Sequence, residues 1–560
     1  MGWRTQMLWS DGNMLIKKVL LIGSPRMALD SLTTDANILH EVYPPLGLMY
    51  LSAMIKRELV KIDVVIYDLH LESIKAAYAG QSVDWSIMVT SQIDEFQPDL
   101  VGLSTMFGAS FSIAEKIGQE IRQKYPQMII VNGGVHITGI IKTRDKEKLN
   151  SFSDFTCLNE AESHFVGLIR YLNLQQDFLK GVYVHNRVLL RDDAHLLPGI
   201  ETVEDVDTLP MPDFGAVDLH NSYKYGILSG AQTIPRDKPL ATLLTVRGCI
   251  ARCTFCSVVN FNGAGVRMHS AQRVLKEIDI LYNEHGIRHI DFVDDDFTHS
   301  KQRTLEITEG LIARKYDLTW SIGNGIRLGS LTDELLEKMA ESGCTYFSLG
   351  IESGDPEILK KIRKPLTLPM LKKGIELLQR HPQIYYRANF ITGFPEETME
   401  QLQRTFNVAA TMQADWCLFS MCKPLPDTEM YNDLLENNYE GVGNNSTAND
   451  YSFQTTIGML ANEEEGKQIF DLTYYHNLKI NFRDNPNLRG RNVERAVKDF
   501  ERVVKLAQNH AFAWHCLAVG YRKLNRQQEA EHASQNVHEI IERDPFWLNK
   551  FEELEVSIAN

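Results

Sequence analysis

Three cysteines, Cys249, Cys253 and Cys256, stand within eight positions in the stretch "RGCIARCTFCSVV", residues 247–259. Thiols are soft ligands, and a cluster of them in one loop points to a metal. A zinc site pairs C-x-x-C with a second Cys/His pair roughly 12–20 residues on. Downstream of Cys256 only His269 and His285 follow, and neither has a partner at that spacing. Three thiolates instead suit a cubane iron–sulfur (4Fe-4S) cluster, whose irons are held by Cys thiolates, usually four. With three, one iron keeps a coordination position open for a small chelating molecule. The other five cysteines, Cys157, Cys344, Cys417, Cys422 and Cys516, are scattered in apolar contexts. They read as buried, inert thiols.

Carboxylates and small polar residues form the second set of candidates. Asp294, Asp295 and Asp296 close one apolar run and Glu352-Ser353 closes another. A carboxylate placed there can accept from an ammonium or from ribose hydroxyls, and charge-assisted bonds of this kind are the strong ones. The alternative for Asp294–Asp296 is a solvated acidic turn that caps the next helix. Nearer the N-terminus come Gly23-Ser24-Pro25, Ser104-Thr105 and Asn132-Gly133-Gly134-Val135-His136. A Gly pair after a strand lets the backbone approach a flat or phosphorylated ligand. Tight turns are the alternative reading.

These residues need elements to hold them. Short β-rich apolar runs at 18–23, 62–67, 99–105, 128–132 and 154–158 alternate with helical stretches such as 112–124, where Ile113, Ile117 and Ile121 share one stripe. The pattern predicts an α/β domain at 16–170, a Rossmann-like parallel sheet covered on both faces. Ligands of such sheets sit at the carboxyl ends of the strands. Residues 171–240, with "LPMPDF" at 209–214, read as a linker with a little structure of its own. From 241 to 430 a second alternation begins, with strands expected at 242–247, 289–294, 319–323, 346–351, 386–392 and 416–421. Helical patterns at 271–283, 301–315, 332–342, 368–380 and 397–411 separate them. Six strand–helix units predict a partial (βα)6 barrel whose working end is the loops after its strands. Residues 431–560 carry no strand signal and predict an all-α region. Within about 493–545, Trp514-x2-Leu517-Ala518-x2-Tyr521, Ala530 and Pro545 fit a tetratricopeptide (TPR) pattern. A plain helical hairpin is the alternative.

Composition narrows the function class. The 560-residue chain carries a formal net charge of −15, which argues against nucleic acid, since duplex binding needs a basic face. No apolar run is long enough for a transmembrane segment, and no signal-peptide pattern opens the chain. A cytoplasmic location is expected, with residues 1–15 disordered and Met14 a candidate start.

The cysteine spacing, C249-x3-C253-x2-C256 with Phe255 before the last thiol, resembles the signature of the radical S-adenosylmethionine (SAM) superfamily. "DDDF" (294–297), "GIES" (350–353), "NFITGFPEET" (389–398) and "KPLPDTEMY" (423–431) resemble that family's landmarks at successive strand ends. The last departs from Pro-x-Pro-Gly-Thr by Asp427 in place of Gly. The resemblance implies that Cys249, Cys253 and Cys256 hold the cluster. It implies that SAM is met by Phe255, Asp295, Asp296, Glu352, Ser353, Gly393 and Pro395. The segments "YPPLGLMYLSAM" (43–54), "VGLSTM" (101–106), "VNGGVH" (131–136) and "LNEAE" (158–162) resemble the cobalamin (B12)-binding domain of one subgroup of that family. Ser104, Thr105, Gly133, Gly134 and His136 are the residues this implies for cobalamin. Enzymes that ligate cobalt through histidine use Asp-x-His-x-x-Gly after the first strand. Here that loop, "GSPRMALD", has none, and His70, after the second strand, reads as a surface or loop residue.

The resemblance thus implies an enzyme that cleaves SAM to a 5′-deoxyadenosyl radical and methylates an unactivated carbon through methylcobalamin. The substrate would be a small molecule, free or bound to a carrier or peptide, and a donor such as flavodoxin or ferredoxin would supply electrons. A TPR-like tail would offer a protein contact. Two alternatives stand beside this: a cobalamin-dependent radical cyclase or rearrangement enzyme without methyl transfer, and a structural Fe–S/TPR interaction module. A methylthiotransferase is set aside, because that family carries three further cysteines before the barrel and here only Cys157 precedes it.

Overall fold

Val19, Leu20, Leu21 and Ile22 are all fully buried, as an apolar run must be when its strand is covered on both faces. The structure, a computed structural model, describes residues 6–7, 16–25, 40–141, 146–185, 188–189, 195–197, 202–227, 238–437 and 463–558. The chain divides into two compact units. One comprises Met1–Leu228, Asp237–Asp296 and Pro424–Tyr451, the other Ser229–Arg236, Phe297–Lys423 and Ser452–Asn560.

In the first unit six strands form a sheet: β1 (Lys18–Gly23), β2 (Asp63–Asp68), β3 (Leu100–Ser104), β4 (Ile129–Gly133), β5 (Phe155–Cys157) and β6 (Val182–Val184). Their order is β2-β1-β3-β4-β5-β6, parallel throughout except for β6. Alternate residues feed two cores: Val19 and Leu21 pack with Leu48, Ile55 and Ile169, and Leu20 and Ile22 pack with the Ile113–Ile117–Ile121 stripe. Chain order reverses between β1 and β3, the position at whose carboxyl ends open sheets of this kind bind ligands.

One expectation needs correction. His70 is buried, not a surface or loop residue: Asp68 accepts from Leu71 N–H at 3.2 Å and starts the helix Leu69–Tyr78 at once, which turns His70 inward. Within 171–240, Val182–Val184 adds an antiparallel strand to the sheet. Of residues 1–15 only Gln6–Met7 is described, and it pairs with Val188–Leu189. The remainder of 1–15, and residues 26–30 of "GSPRMALD", lie outside the described residues.

The same unit holds β7 (Leu240–Leu243) and β8 (His289–Phe292), paired parallel. The strand expected at 242–247 stops at Leu243. Asp294 takes both the N–H and the hydroxyl of Thr245, pulling the backbone out of the ladder. Val246–Arg247 then pairs antiparallel with Arg267–Met268, and the cysteine loop lies between those two short strands in the chain.

In the second unit β9 (Thr319–Ile326), β10 (Cys344–Glu352), β11 (Tyr385–Thr392) and β12 (Trp416–Met421) lie parallel in chain order. Amphipathic helices fall where their periodicity predicts, at Lys301–Arg314, Asp333–Glu341, Leu368–Gln379 and Met399–Met412. The C-terminal helices Val493–Leu506, Ala511–Lys523, Gln527–Arg543 and Pro545–Glu553 share a core that includes Leu517, Ala518, Tyr521 and Ala530. Buried Asp415, just before β12, binds Arg491 at 2.7 Å and Arg495 at 2.8 Å and ties this region to the strand. Among the described residues no helix is long and apolar enough to cross a membrane.

Candidate functional site

The eight cysteines fall into two kinds. Cys157, Cys344, Cys417, Cys422 and Cys516 are buried, and burial pushes the Cys157 and Cys417 thiols up to about 12. Cys249, Cys253 and Cys256 are only half-buried, and none of the eight forms a disulfide. Ala251 N–H donates to the Cys249 sulfur at 3.4 Å. Among the described residues no three Cys, His, Asp or Glu side chains converge as ligands of a single ion. A cubane does not require that, since each cysteine holds a separate iron. Three accessible thiols on one loop fit such a cluster.

The loop is fixed from within its unit. Asp295 accepts from Gly248 N–H at 2.7 Å and from the Asn262 amide at 2.6 Å. Burial raises the Asp295 carboxyl above its ordinary range. Gly248 has φ 87°, and a Cβ there would strike the Gly265 carbonyl, so only glycine fits. Thr254 C=O accepts from Met430 N–H at 2.9 Å, and the Asn260 amide donates to Asp427 C=O. Asp427 itself has φ 65°. It fills the glycine position of the resemblance with one of the few side chains that tolerate this backbone. Asp294 and Asp296 are fully buried, and the next helix is capped by Ser300 instead. The solvated acidic turn is therefore not what forms.

In the second unit, Glu352 has φ 68° and accepts from Lys364 at 2.9 Å. Ser353 is buried, with its hydroxyl bonded to Thr405 and to Asp355 N–H. Gly393 N–H and Phe394 N–H both donate to Glu397, at 2.8 and 3.1 Å, and Pro395 C=O accepts from Lys361 at 2.7 Å. Sequence reasoning did not single out Glu397. Burial pushes its carboxyl up to about 7, and its second oxygen has no hydrogen-bond partner among the described residues. Its place in "PEET", where it can reach back to the turn, was the available signal. Phe255 is half-buried in the cysteine loop.

At the carboxyl end of the first sheet, Ser24 N–H donates to Ser104 C=O at 3.2 Å and Thr105 N–H to Gly133 C=O at 2.9 Å. Gly134 has φ 108°, and a Cβ would run into Thr105. Ser24 Oγ, Thr105 Oγ1 and Asn132 Oδ1 are buried without a hydrogen-bond partner among the described residues. Such atoms are costly unless a ligand meets them. They fit a cofactor rich in amide and phosphate groups. His136 is buried, its ring 5.5 Å from that of Phe111.

The "LNEAE" segment faces the cysteine loop. Asn159 donates to Asn260 C=O at 3.0 Å and Phe261 C=O at 2.7 Å. Glu160 takes Arg267 at 2.5 and 2.7 Å, and Glu162 takes Arg247 at 2.7 Å. Burial acts to raise Glu162, but the Arg247 charge and hydrogen bond hold it below its ordinary range. These contacts bind the segment after β5 to the chain on either side of the cysteines. Arg247 and Arg267 were missed because a lone arginine beside a motif carries no periodic signal.

Comparison with known proteins decides the family. A model described as the radical SAM superfamily matches residues 243–409, and one described as the B12 binding domain matches 36–169. The chain belongs to the cobalamin-binding radical SAM family. Among relatives of this radical SAM protein, an uncharacterized methyltransferase, PH0819, of Pyrococcus horikoshii is 27% identical over 432 residues, 76% of this chain and 84% of that one. An anaerobic magnesium-protoporphyrin IX monomethyl ester cyclase of Cereibacter sphaeroides is 27% identical over 397 residues, 70% of this chain and 61% of that one. The radical SAM methyltransferase TsrM of Kitasatospora setae, solved with cobalamin and a 4Fe-4S cluster bound, shares the fold. Its TM-score is 0.56 at 18% identity, covering 76% of each chain.

Proposed function

We propose that this protein is a cobalamin-dependent radical SAM enzyme that methylates an unactivated carbon. The observation that carries the reading is the content of the first unit: three half-buried thiols on one loop, and three orphaned polar atoms at the head of the neighbouring sheet. When bound, the cluster supplies the electron that cleaves SAM to an adenosyl radical, and cobalamin supplies a methyl group that a carbon radical can accept.

The residues have distinct tasks in this reading. Cys249, Cys253 and Cys256 hold the cluster and leave one iron to the amino and carboxylate groups of SAM. Asp295 orients the loop through Gly248 N–H. Phe255, Asp296, Glu352, Ser353, Gly393 and Pro395 line the SAM site, Ser353 through the turn it braces and Gly393 through the turn built on Glu397. Ser104, Thr105, Gly133, Gly134 and His136 receive cobalamin, with Gly134 opening the space a side chain would close. Exclusion of water from the radical is the general demand on such a site.

Substrates of this reading are small molecules, free or carrier-bound. Electrons come from a low-potential donor such as flavodoxin or ferredoxin, in the cytoplasm. The helices of the C-terminal region, with their TPR-like pattern, contact a protein partner. A cyclase reading is favoured by the likeness to the Cereibacter enzyme, but the chain covers 84% of the methyltransferase and 61% of the cyclase. Mass spectrometry of the product separates them. Methylation adds one carbon and two hydrogens, and a product of unchanged carbon count sinks the methylation reading.

A further inference from the structure

We propose that Asn159, Glu160 and Glu162 form a positioning lock that sets the cysteine loop against the carboxyl end of the first sheet, and so fixes the separation of cluster and cobalamin. The inference rests on the functional reading above. The three side chains leave the sheet directly after β5 and reach both flanks of the loop. On the upstream side Glu162 holds Arg247, two residues before Cys249, and Glu160 lies 3.5 Å from the same guanidinium. On the downstream side Glu160 grips Arg267 with both oxygens. Asn159 closes the end of the short helix Val258–Asn262, which follows Cys256, by taking two of its carbonyls.

Burial makes this a lock rather than a set of surface pairs. Side-chain exposure is 2% for Glu160, 5% for Arg247 and 8% for Glu162. Buried charges must keep their partners or leave a desolvated ion behind, so the pairs hold one register. Bidentate Arg–carboxylate bonds fix orientation as well as distance. Arg267 also donates to Asn262 C=O at 2.7 Å, and Asn262 donates to Asp295, which holds Gly248. The lock thus closes a ring around the three thiols. Reactions between groups held by two cofactors depend on this kind of placement, where a shift of about 1 Å costs on the order of 100-fold.

Two variants test it. Asn159→Gly removes the amide and keeps the left-handed backbone that Asn159 adopts at φ 53°. Arg267→Lys keeps the charge and removes the fork. In the cofactor-free chain, hydrogen exchange of the amides at 249–262 should rise about tenfold in each, while 18–23 stays protected. In the reconstituted protein, pulsed electron paramagnetic resonance (EPR) should give one narrow cob(II)alamin–cluster distance for the parent and a broadened or displaced one for both variants. Variants with unchanged exchange and an unchanged distance overturn the lock. A parent chain that binds neither cofactor overturns the functional reading instead, and with it this inference.

Discussion

Asp295 accepts a hydrogen bond from Gly248 N–H at 2.7 Å. The residue beside the first cysteine is therefore held by a carboxylate that follows β8, 47 positions along the chain. The cysteine loop owes its shape to this clamp, to the antiparallel pair Val246–Arg247 with Arg267–Met268, and to a glycine that no other residue can replace. Each of these supports can be removed singly.

The three thiols act as a set. Cys253→Ala should abolish cluster assembly and reduce SAM cleavage to background, as measured by 5′-deoxyadenosine. Cys157→Ala, which alters a buried thiol, should leave both intact. Turnover by Cys253→Ala would show that the loop is not the ligand set.

Gly134→Ala places a methyl against Thr105 at a φ of 108°. Strain at such a position is about 1–3 kcal/mol. Cobalamin retention after gel filtration should fall sharply, with cluster iron content unchanged. Equal retention would mean that this end of the sheet does not hold cobalamin.

Thr105 offers the opposite sign. Its hydroxyl is buried without a partner among the described residues, and removing such a group relieves about 1–3 kcal/mol of desolvation. Thr105→Val should therefore leave the cofactor-free chain as stable as before or more so, while cobalamin affinity drops about tenfold, the worth of one hydrogen bond of about 1.4 kcal/mol. A loss of stability without loss of affinity would assign the hydroxyl to the fold alone.

Glu397 governs a pH dependence. Burial raises its folded pKa from 4.5 to about 7. Between those values the folded chain holds a proton that the unfolded chain has released, so stability falls as pH rises through that window. The size is on the order of 3 kcal/mol. Glu397→Gln keeps an acceptor for Gly393 and Phe394 and should lessen the fall between pH 5 and 8 by one proton in denaturant titrations. A slope identical to that of the parent would contradict the assignment.

The sheets were legible because buried strands and amphipathic helices write their periods into the chain: Val19–Ile22 and the Ile113–Ile117–Ile121 stripe lie where periodicity puts them. The three cysteines stand out by their spacing, and the structure leaves them half-buried while the other five are buried. What was not legible depended on distant partners. His70 reads as exposed until Asp68 is seen to start a helix at once. Thr245 reads as strand until Asp294 removes its N–H from the ladder. "LNEAE" reads only as a family-like segment until Arg247 and Arg267 are found facing it. Ion pairs leave no period in a sequence, so their geometry emerges only in three dimensions.

The most direct test is EPR of the anaerobically reconstituted, reduced protein, recorded without SAM and with SAM carrying a 17O-labelled carboxylate. The account predicts a reduced 4Fe-4S signal whose g-values move on addition and whose lines gain hyperfine broadening from the labelled oxygen on the open iron. A cluster spectrum unmoved by SAM, or no cubane signal at all, would contradict it.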